Sequence, residues 1–321
     1  MRLRLATYNL ESLDDRPGET PSLAERIGVL RPALVALRAD VLCLQEVNAQ
    51  RVGKSGPRTL AALDRLLEQT PYTGYHRAAP VGPHAVSDVH NLVILSRFPI
   101  RRHAMHLNDL VSRPVVHLST APTPEQEIGW DRPILHAELE LPDGCILHVI
   151  DAHLRAPRAA AIEGQKLGPQ AWRTTRGWAE GYFVAALKRA GQALEIRLLV
   201  DQLLDADRDA RVLVAGDLNA DSSETPVRLV RADVDDTGTE ALGARSLVAL
   251  EDLVPEDRRY TVLHDGAKRL PDHLLASQAL ARGHVATDVL NEDLQDEWLV
   301  EQRSTPVLGS LHAPMVAEVE L

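Results

Sequence analysis

The stretch RVLVAGDLNA, residues 211–220, is an apolar run that stops abruptly at polar residues. Its first half has the composition of a buried strand, and Asp217 and Asn219 follow at once. The same junction recurs at Asn9 and Glu11, at Gln45 and Glu46, at Asp151 and His153, at Asp272 and His273, and at His312 before the last strand. Because strand ends converge in layered α/β folds, these side chains are predicted to share one cleft.

The rest of the chain alternates short strands with helices. Strands are predicted over 2–9, 41–47, 91–96, 134–140, 145–151, 211–216, 259–264, 272–277 and 314–320, and helices over 22–39, 58–69 and 183–206. Ser22 stands three residues before Glu25, which is the spacing of a helix-capping pair. Pro142, Asp143 and Gly144 predict the turn of an antiparallel hairpin. Hairpins combined with βα units indicate mixed sheets, and the lack of a linker-like segment or repeat predicts one domain over 1–321.

Composition limits the class of protein. The 321 residues are 45% hydrophobic and 25% charged, which excludes a disordered or low-complexity chain. No apolar run reaches 18 residues, so no membrane-spanning helix is expected, and the N-terminal MRLRLATYNL lacks the apolar region of a signal peptide. Cys43 and Cys145 both lie in apolar runs and are predicted to be buried thiols. A cytoplasmic protein is therefore expected.

Charge narrows the choice of partner. The chain has 35 basic and 46 acidic residues, a net charge of −11 with histidine neutral, which argues against a protein that covers duplex DNA. Aromatic residues make up 3% of the chain, so a stacking platform for single strands is not expected either. A local basic site remains compatible with this composition.

The polar residues at the strand ends are the types that metal-assisted attack on phosphorus requires. Carboxylates and an Asn bind a hard divalent cation. A His stabilises charge on phosphoryl oxygens, and an Asp orients a water. Taken singly, Glu46 is more often a solvated turn residue, Asp217 more often a cap or turn residue, and His153 more often a surface or core histidine. The argument therefore depends on the set, whose members all lie at boundaries of apolar strands.

Seven segments together resemble the endonuclease/exonuclease/phosphatase superfamily, which includes DNase I, exonuclease III, abasic-site endonucleases, neutral sphingomyelinases and inositol-polyphosphate 5-phosphatases. They are ATYNL (6–10), LCLQEV (42–47), NLVILSRFPI (91–100), DAHL (151–154), VAGDLNA (214–220), PDHLLAS (271–277) and SLHAPMVAEVEL (310–321). They occur in the family order and span nearly the whole chain. The resemblance implies an α/β fold of the DNase I-like type, a four-layer α/β/β/α sandwich with two mixed sheets.

The resemblance also implies roles for individual residues and a Mg²⁺ or Mn²⁺ cofactor. The expected metal ligands are Glu46 and Asn9. Asp217 is expected to orient or deprotonate the attacking water, and the other expected catalytic residues are Asn219, His153, Asp272 and His312. The expected substrate contacts are Asn9, Asn91, Arg155 and Arg173.

One position departs from the family pattern. Where relatives read Ser-Asp-His, this chain reads Ser310-Leu311-His312, and a leucine cannot bind a cation. Three explanations stay open: a weaker metal site built mainly on Glu46, a ligand recruited from Glu11 or elsewhere, or a loss of catalysis.

A basic segment follows the DAHL strand directly. Residues 155–176 carry Arg155, Arg158, Lys166, Arg173 and Arg176 against Glu163 alone, a local charge of 5 − 1 = +4. Trp172, Trp178 and Tyr182 are interleaved or adjacent, so an insertion is predicted around 155–182. Two interpretations stay open: a loop that binds an anionic phosphoester, and a solvated insertion whose tryptophans pack on the body.

The expected function is a divalent-metal-dependent phosphoesterase that hydrolyses a phosphodiester or phosphomonoester by in-line attack of an activated water. A metal-dependent nuclease is the first alternative, and the net acidity favours a small or lipid-like phosphoester over nucleic acid. A non-catalytic phosphoester-binding module of the same fold is the second alternative. The sequence leaves the substrate and the oligomeric state open.

Overall fold

A computed structural model describes residues 1–51, 53, 56–80, 86–304 and 306–321. Its strands are β1 (Arg2–Leu13), β2 (Val41–Val47), β3 (Gln50–Arg51), β4 (Arg58–Thr59), β5 (His76–Ala78), β6 (Asn91–Ser96), β7 (Ile100–His106), β8 (Val115–His117), β9 (Glu125–Glu127), β10 (Ile134–Glu140), β11 (Ile146–His153), β12 (Arg211–Asp217), β13 (Val248–Ala249), β14 (Val262–His264), β15 (Ala267–Arg269), β16 (Asp272–Ala276), β17 (His284–Val289) and β18 (Met315–Glu320). Its α-helices are α1 (Leu23–Leu37), α2 (Ala61–Leu67), α3 (Thr175–Ala206), α4 (Thr225–Arg231), α5 (Gln278–Ala281) and α6 (Glu297–Arg303).

Two six-stranded sheets carry the fold, and each has one parallel pair near its centre. The first sheet has the order β17-β18-β1-β2-β6-β5, with β1 and β2 parallel and the other pairs antiparallel. The second has the order β13-β16-β12-β11-β10-β7, with β11 and β12 parallel. A parallel pair needs a long crossover, which α1 supplies in the first sheet and α3 in the second.

The apolar clusters of the described residues define four layers. One cluster lies between the sheets and joins residues such as Leu5 and Ile94 of the first sheet to Leu135 and Leu213 of the second. A second cluster packs α1 and α2 on the outer face of the first sheet, and a third packs α3 and α4 on the outer face of the second. The predicted α/β/β/α sandwich with two mixed sheets is confirmed. None of the described helices combines the length and apolarity that crossing a bilayer requires.

Local sequence signals account for several elements. The predicted strands 41–47, 91–96 and 134–140 match β2, β6 and β10 residue for residue. The hydroxyl of Ser22 accepts a hydrogen bond from the Glu25 backbone N–H, and the Glu25 carboxylate accepts one from the Ser22 backbone N–H. This reciprocal cap fixes the start of α1. The predicted hairpin forms between β10 and β11.

Other boundaries were predicted incorrectly. Helix α3 begins at Thr175 and not at 183, because the hydroxyl of Thr174 caps its first turn. The glycines of this first part, Gly177 and Gly181, let neighbouring loop residues approach the helix closely. Residues 58–59 form a short strand, so α2 is shorter than the predicted helix over 58–69. Of the predicted strand over 259–264, only Val262–His264 forms a strand. The edge strands β7 and β17 were missed because their exposed, polar residues lack an apolar run.

The two cysteines differ in burial. Cys43 is buried between the sheets, as predicted, but Cys145 is exposed, which corrects the prediction of two buried thiols. The reason is local: Cys145 follows the hairpin turn, and its backbone N–H is held by the Asp143 side chain at the molecular surface.

Candidate active site

The register of the second sheet places three of the predicted residues side by side. His153 at the end of β11 pairs with Asp217 at the end of β12, and Asp217 pairs with Asp272 at the start of β16. Directly paired residues point to the same face of a sheet, so the three side chains share one face at one edge. All three are buried.

The Asp217 carboxylate is the centre of this row. Its Oδ2 accepts hydrogen bonds from Asn9 Nδ2 at 3.1 Å and from Asn219 Nδ2 at 3.2 Å, and its Oδ1 accepts one from the Asn219 backbone N–H at 2.8 Å. His153 Nε2 lies 3.3 Å from the same Oδ2. Asn9 comes from the first sheet, so this carboxylate joins the two sheets at their shared edge.

The protonation of Asp217 is set by its surroundings. Burial raises the pKa of Asp217 to about 7. His312 acts to lower this pKa, and the neighbouring carboxylate of Asp272 acts to raise it. A carboxyl group with a pKa near neutrality is suited to accepting a proton at physiological pH.

The glycine before Asp217 makes the close strand pairing feasible. Gly216 has φ +130°, and a Cβ there would overlap the backbone carbonyl of Ala152 on β11. We expect Gly216→Ala to lower the free energy of unfolding by about 3 kcal/mol or more, because both the backbone angle and the packing oppose a side chain. Urea denaturation measures this loss. Gly243→Ala is the matched control: its Cβ meets no atom within 4 Å, and an equal loss there would contradict the argument.

Glu46 reaches the cleft from the first sheet through an irregularity in the backbone. The register between β2 and β6 shifts between Leu44 and Val47, and Glu46 itself has φ +58°. Its Oε2 accepts hydrogen bonds from the backbone N–H and the hydroxyl of Ser12, at 2.9 and 3.0 Å. Its Oε1 lies 3.5 Å from Asn9 Nδ2. Such bulges re-aim side chains next to functional sites.

Asp272 and His312 form a tightly bonded pair. His312 Nδ1 lies 2.8 Å from Asp272 Oδ2, which also accepts a hydrogen bond from the Thr261 hydroxyl at 2.6 Å. Burial lowers the pKa of His312, but the carboxylates of Asp272, Asp217 and Glu11 outweigh it and hold this pKa well above its usual value. His312 is therefore an imidazolium at neutral pH, and the carboxylate of Asp272 orients it.

The charge state of His153 differs from that of His312. Burial, followed by the positive charge of Arg132, holds the pKa of His153 well below its usual value. Its Nε2 faces two carboxylates, Asp217 Oδ2 at 3.3 Å and Glu46 Oε1 at 3.7 Å. A neutral ring in this position places its proton on Nε2, because only a donor is stable against carboxylate oxygens. His153 is thus a neutral hydrogen-bond donor within the cleft.

Two residues of the cleft were missed by sequence reasoning. His90, with φ +58°, places Nδ1 3.6 Å from Glu46 Oε2 and its ring centroid 5.8 Å from that of His153. Arg132 donates to the Leu154 carbonyl at 3.1 Å, and its charge acts on the pKa of both histidines. Arg132 could have been found, since it precedes an antiparallel strand whose start shares an edge with the end of β11. No local signal marks His90.

Glu11 lies near His312, the residue that follows Leu311 in the chain. Burial raises the pKa of Glu11; His312 acts to lower it, and Glu46 acts to raise it. Leu311 is buried, with 7% exposure, and belongs to none of the apolar clusters formed by the described residues. The carboxylate expected at position 311 is thus absent, while that of Glu11 is close to both His312 and Glu46.

The expected substrate contacts other than Asn9 have different surroundings. The Asn91 amide donates to the carbonyls of Val47 and Ser87, at 2.8 and 2.9 Å, and its oxygen accepts from the Ser87 backbone N–H. It therefore shapes the loop that precedes β6. Arg155 is paired with Asp131 at 2.6 Å. Arg173 donates from Nε to the Gly164 carbonyl at 3.0 Å, a contact inside its own loop.

The basic segment consists of a loop and the start of a helix. Arg176, Trp178 and Tyr182 belong to the first turns of α3, and the insertion around 155–182 stays a prediction. Trp178 and Tyr182 are exposed and contact each other, with ring centroids 5.6 Å apart. Trp172 is half-buried, and the ammonium group of Lys166 lies 4.3 Å from its ring.

Backbone conformation also distinguishes this region. Eleven described non-glycine residues have positive φ, and five of them, Glu11, Ser12, Glu46, His90 and Asn219, surround the cleft. Such conformations cost free energy and persist where surrounding contacts enforce them, which occurs most often at functional sites. The concentration of strain at this edge supports its assignment as the candidate active site.

The two mixed sheets with outer helices and a carboxylate–histidine cleft at their shared edge define a DNase I-like protein. The sequence profile described as the Endonuclease/Exonuclease/phosphatase family matches residues 6–298. The chain therefore belongs to the endonuclease/exonuclease/phosphatase family, whose members are hydrolases that act on phosphoester bonds. A comparison with the curated proteins finds no match.

Solved structures with this fold have diverse names. A mannosyl-6-phosphatase from Bacteroides thetaiotaomicron VPI-5482 has a TM-score of 0.61 and 14% identity, over 99% of this chain and 100% of that one. TDP2 from C. elegans has a TM-score of 0.55 and 16% identity, over 100% and 75%. An AP endonuclease from Archaeoglobus fulgidus has a TM-score of 0.54 and 16% identity, over 99% and 100%. At these identities the likeness establishes the fold.

Proposed function

We propose that this protein is a divalent-metal-dependent phosphoesterase in which Asp217 activates a water for in-line attack on phosphorus. One observation carries the proposal: the Asp217 carboxylate, with its pKa near 7, lies between a neutral histidine donor and an oriented imidazolium. The amides of Asn9 and Asn219 hold this carboxylate in place. A base, a neutral donor and a fixed positive charge in one cleft are what hydrolysis of a phosphoester needs.

The donor set of the cleft fits a hard divalent cation. Glu46, Glu11 and Asp217 concentrate carboxylates in a partly buried space, and Glu46 acts to raise the pKa of each of the other two. Glu46 is thus close enough to both carboxylates to repel them, and a bound cation would relieve that repulsion. Glu46 and Glu11, with the neighbouring Asn9 amide, would hold Mg²⁺ or Mn²⁺ through oxygen. A bound cation supplies positive charge against the phosphoryl oxygens.

The side chains of the cleft have distinct roles in the proposed reaction. Asp217 accepts a proton from the attacking water as the new oxygen–phosphorus bond forms, and the ester bond on the opposite side of phosphorus breaks. His312 and Arg132 oppose the negative charge that develops on the phosphoryl oxygens. His153 donates a hydrogen bond from Nε2 while remaining neutral. Asp272 acts through His312, which it orients.

The substrate class that we propose is a small phosphoester. The net charge of −11 opposes a broad interface with nucleic acid. Much of the basic segment is already engaged: Arg155 with Asp131, Arg158 with Glu297, and Lys166 and Arg173 with backbone carbonyls. The neighbour named mannosyl-6-phosphatase supports this class, while the one named AP endonuclease supports the nuclease alternative.

A panel of substrates tests the proposal. The purified chain is incubated with an aryl phosphodiester, an aryl phosphomonoester, sugar phosphates, and single- and double-stranded DNA, each with Mg²⁺, Mn²⁺ or Ca²⁺. We expect turnover of a small phosphoester that disappears with a chelator and returns with Mg²⁺ or Mn²⁺. Cleavage of DNA alone would support the nuclease alternative. Binding of phosphoesters without turnover under any of these conditions would refute the catalytic proposal.

The position where the family carries a further carboxylate gives a direct test of the metal site. We expect Leu311→Asp to tighten Mn²⁺ binding about tenfold, or about 1.4 kcal/mol, because it adds a charged oxygen ligand beside His312. Isothermal calorimetry measures the affinity, with a melting curve to establish folding. Leu311→Asn is the matched control of similar size without the charge. Unchanged affinity in a folded Leu311→Asp protein would contradict the expectation that a carboxylate at position 311 joins Glu46 and Glu11 as a further ligand.

A further inference from the structure

A second group of histidine and carboxylate side chains lies on the outer face of the second sheet. Glu138 on β10 pairs directly with His148 on β11, and His136 lies two residues along β10 on the same face. The alternate residues of β10, Leu135 and Ala137, point the other way, into the core between the sheets. His148 and the active-site His153 are on opposite faces of β11 and are roughly 16 Å apart along the strand, at about 3.3 Å per residue. The two groups are therefore separate.

The atoms of this outer group are arranged as ligands. His136 Nε2 lies 3.1 Å from His148 Nδ1, and His148 Nδ1 lies 3.9 Å from Glu138 Oε1. Two nitrogens that bind one Zn²⁺ at about 2.0–2.1 Å in tetrahedral geometry are about 3.3 Å apart. The observed nitrogen separation is close to that value, and a small rotation of Glu138 brings its oxygen within range. One ion can thus be reached by all three side chains.

A third histidine adds an independent observation. The ring centroid of His106 on β7 lies 6.3 Å from that of His136. His106 Nε2 is buried and has no hydrogen-bond partner among the described residues, while Nδ1 lies 3.6 Å from Asp109 Oδ2. A metal-bound histidine commonly has a carboxylate near its other ring nitrogen. His106 therefore offers a buried nitrogen without a described partner, and a carboxylate lies near its other nitrogen.

The charges in this group agree with a cation site. Burial, with the neighbouring His148 and His106, lowers the pKa of His136 to about 3, and burial lowers the pKa of His148. Both rings are neutral at physiological pH, and the ring that donates across the 3.1 Å contact can bind an ion once its proton moves to its other nitrogen. Glu138 Oε1 accepts a hydrogen bond from Arg102 at 2.6 Å, and binding an ion through this oxygen would displace that 76% exposed arginine.

We propose that His136, His148 and Glu138, with His106 as a fourth donor, form a second metal site on the outer face of the second sheet. The donor set of imidazoles and one carboxylate favours a borderline ion such as Zn²⁺ over Mg²⁺, which prefers oxygen ligands. The site is independent of the phosphoesterase site, because no residue is shared between them. It stabilises the β7–β10–β11 edge, since its ligands come from all three strands.

Titration with Zn²⁺ in excess Mg²⁺ tests the proposal. Calorimetry on the full chain is expected to give one Zn²⁺ site whose affinity falls roughly 10²-fold in His148→Asn. Saturating Zn²⁺ is expected to raise the melting temperature of the parent and not that of this variant. His117→Asn, which changes an exposed histidine on β8, is the matched control and is expected to behave as the parent.

A measurement on the unaltered protein keeps the test decisive if His148→Asn fails to fold. Histidine-ring NMR at one equivalent of Zn²⁺ is expected to shift the resonances of His136 and His148 together. Glu138→Gln, which nearly preserves shape, is expected to weaken binding as well. Equal Zn²⁺ affinity in all variants would overturn the proposal, and so would shifts confined to His90, His153 and His312.

Discussion

Asp217→Asn is expected to lower turnover by about 10²–10⁴-fold, the usual contribution of a positioned base, while the fold is retained. An amide nearly matches the carboxylate in shape, but it cannot take a proton from water. The side-chain amides of Asn9 and Asn219 donate to Oδ2, and they could not donate to an NH₂ group in that position. Initial rates on the best substrate of the panel, with saturating Mn²⁺, measure the loss.

Two controls separate chemistry from folding in the Asp217 experiment. Asp209→Asn makes the same chemical change at an exposed position at the end of α3 and is expected to leave the rate unchanged. A melting curve of Asp217→Asn is expected to stay close to that of the parent or to rise, since a buried charge is removed. Activity within a few-fold of the parent would show that another group activates the water.

Asp272→Asn is expected to lower kcat/KM by about 10²-fold and to move the alkaline limb of its pH profile to lower pH. The sign follows from His312, whose pKa lies well above its usual value in the parent because of neighbouring carboxylates. Activity that needs the imidazolium is present below this pKa and is lost as the pH rises through it. Without the Asp272 carboxylate the pKa falls, so the loss comes at lower pH.

The pH profile distinguishes this role from a merely structural one. A variant that is only destabilised would lose rate without moving its alkaline limb. Asp288→Asn, on the exposed strand β17, is the matched control and is expected to retain both rate and profile. An unchanged alkaline limb in a folded Asp272→Asn protein would contradict the assignment of His312 as the required cation.

The carboxylate that this chain lacks at position 311 is matched by another carboxylate in the cleft, that of Glu11. The chain lacks a carboxylate at position 311 but has Glu11, whose left-handed backbone conformation (φ +50°) and contact with the Asn9 side chain bring it to the site. Of the three explanations that the sequence left open, recruitment of Glu11 is the one that this arrangement supports. Leu311→Asp is expected to add a further carboxylate to a site that already includes Glu11.

Several features of the fold could be predicted from local patterns alone. Buried strands such as β2 and β6 are apolar runs bounded by polar residues, and the capping pair of Ser22 and Glu25 needs only a three-residue spacing. Edge strands and helix starts were less predictable, because exposed residues carry no periodic signal and glycines at 177 and 181 interrupt the pattern of α3. The assignment of 1–321 as one domain stays a prediction.

By itself the sequence determined the buried strands, their order of appearance and the polar residues at their ends, because these depend on neighbours along the chain. Only the tertiary structure decided that His153, Asp217 and Asp272 share one row, since that register pairs strands far apart in sequence. The left-handed backbone of Glu46 and His90 and the approach of Arg132 likewise depend on contacts between distant segments. The roles of these residues stay predictions, and their convergence follows from packing two sheets face to face, with one buried carboxylate at their shared edge.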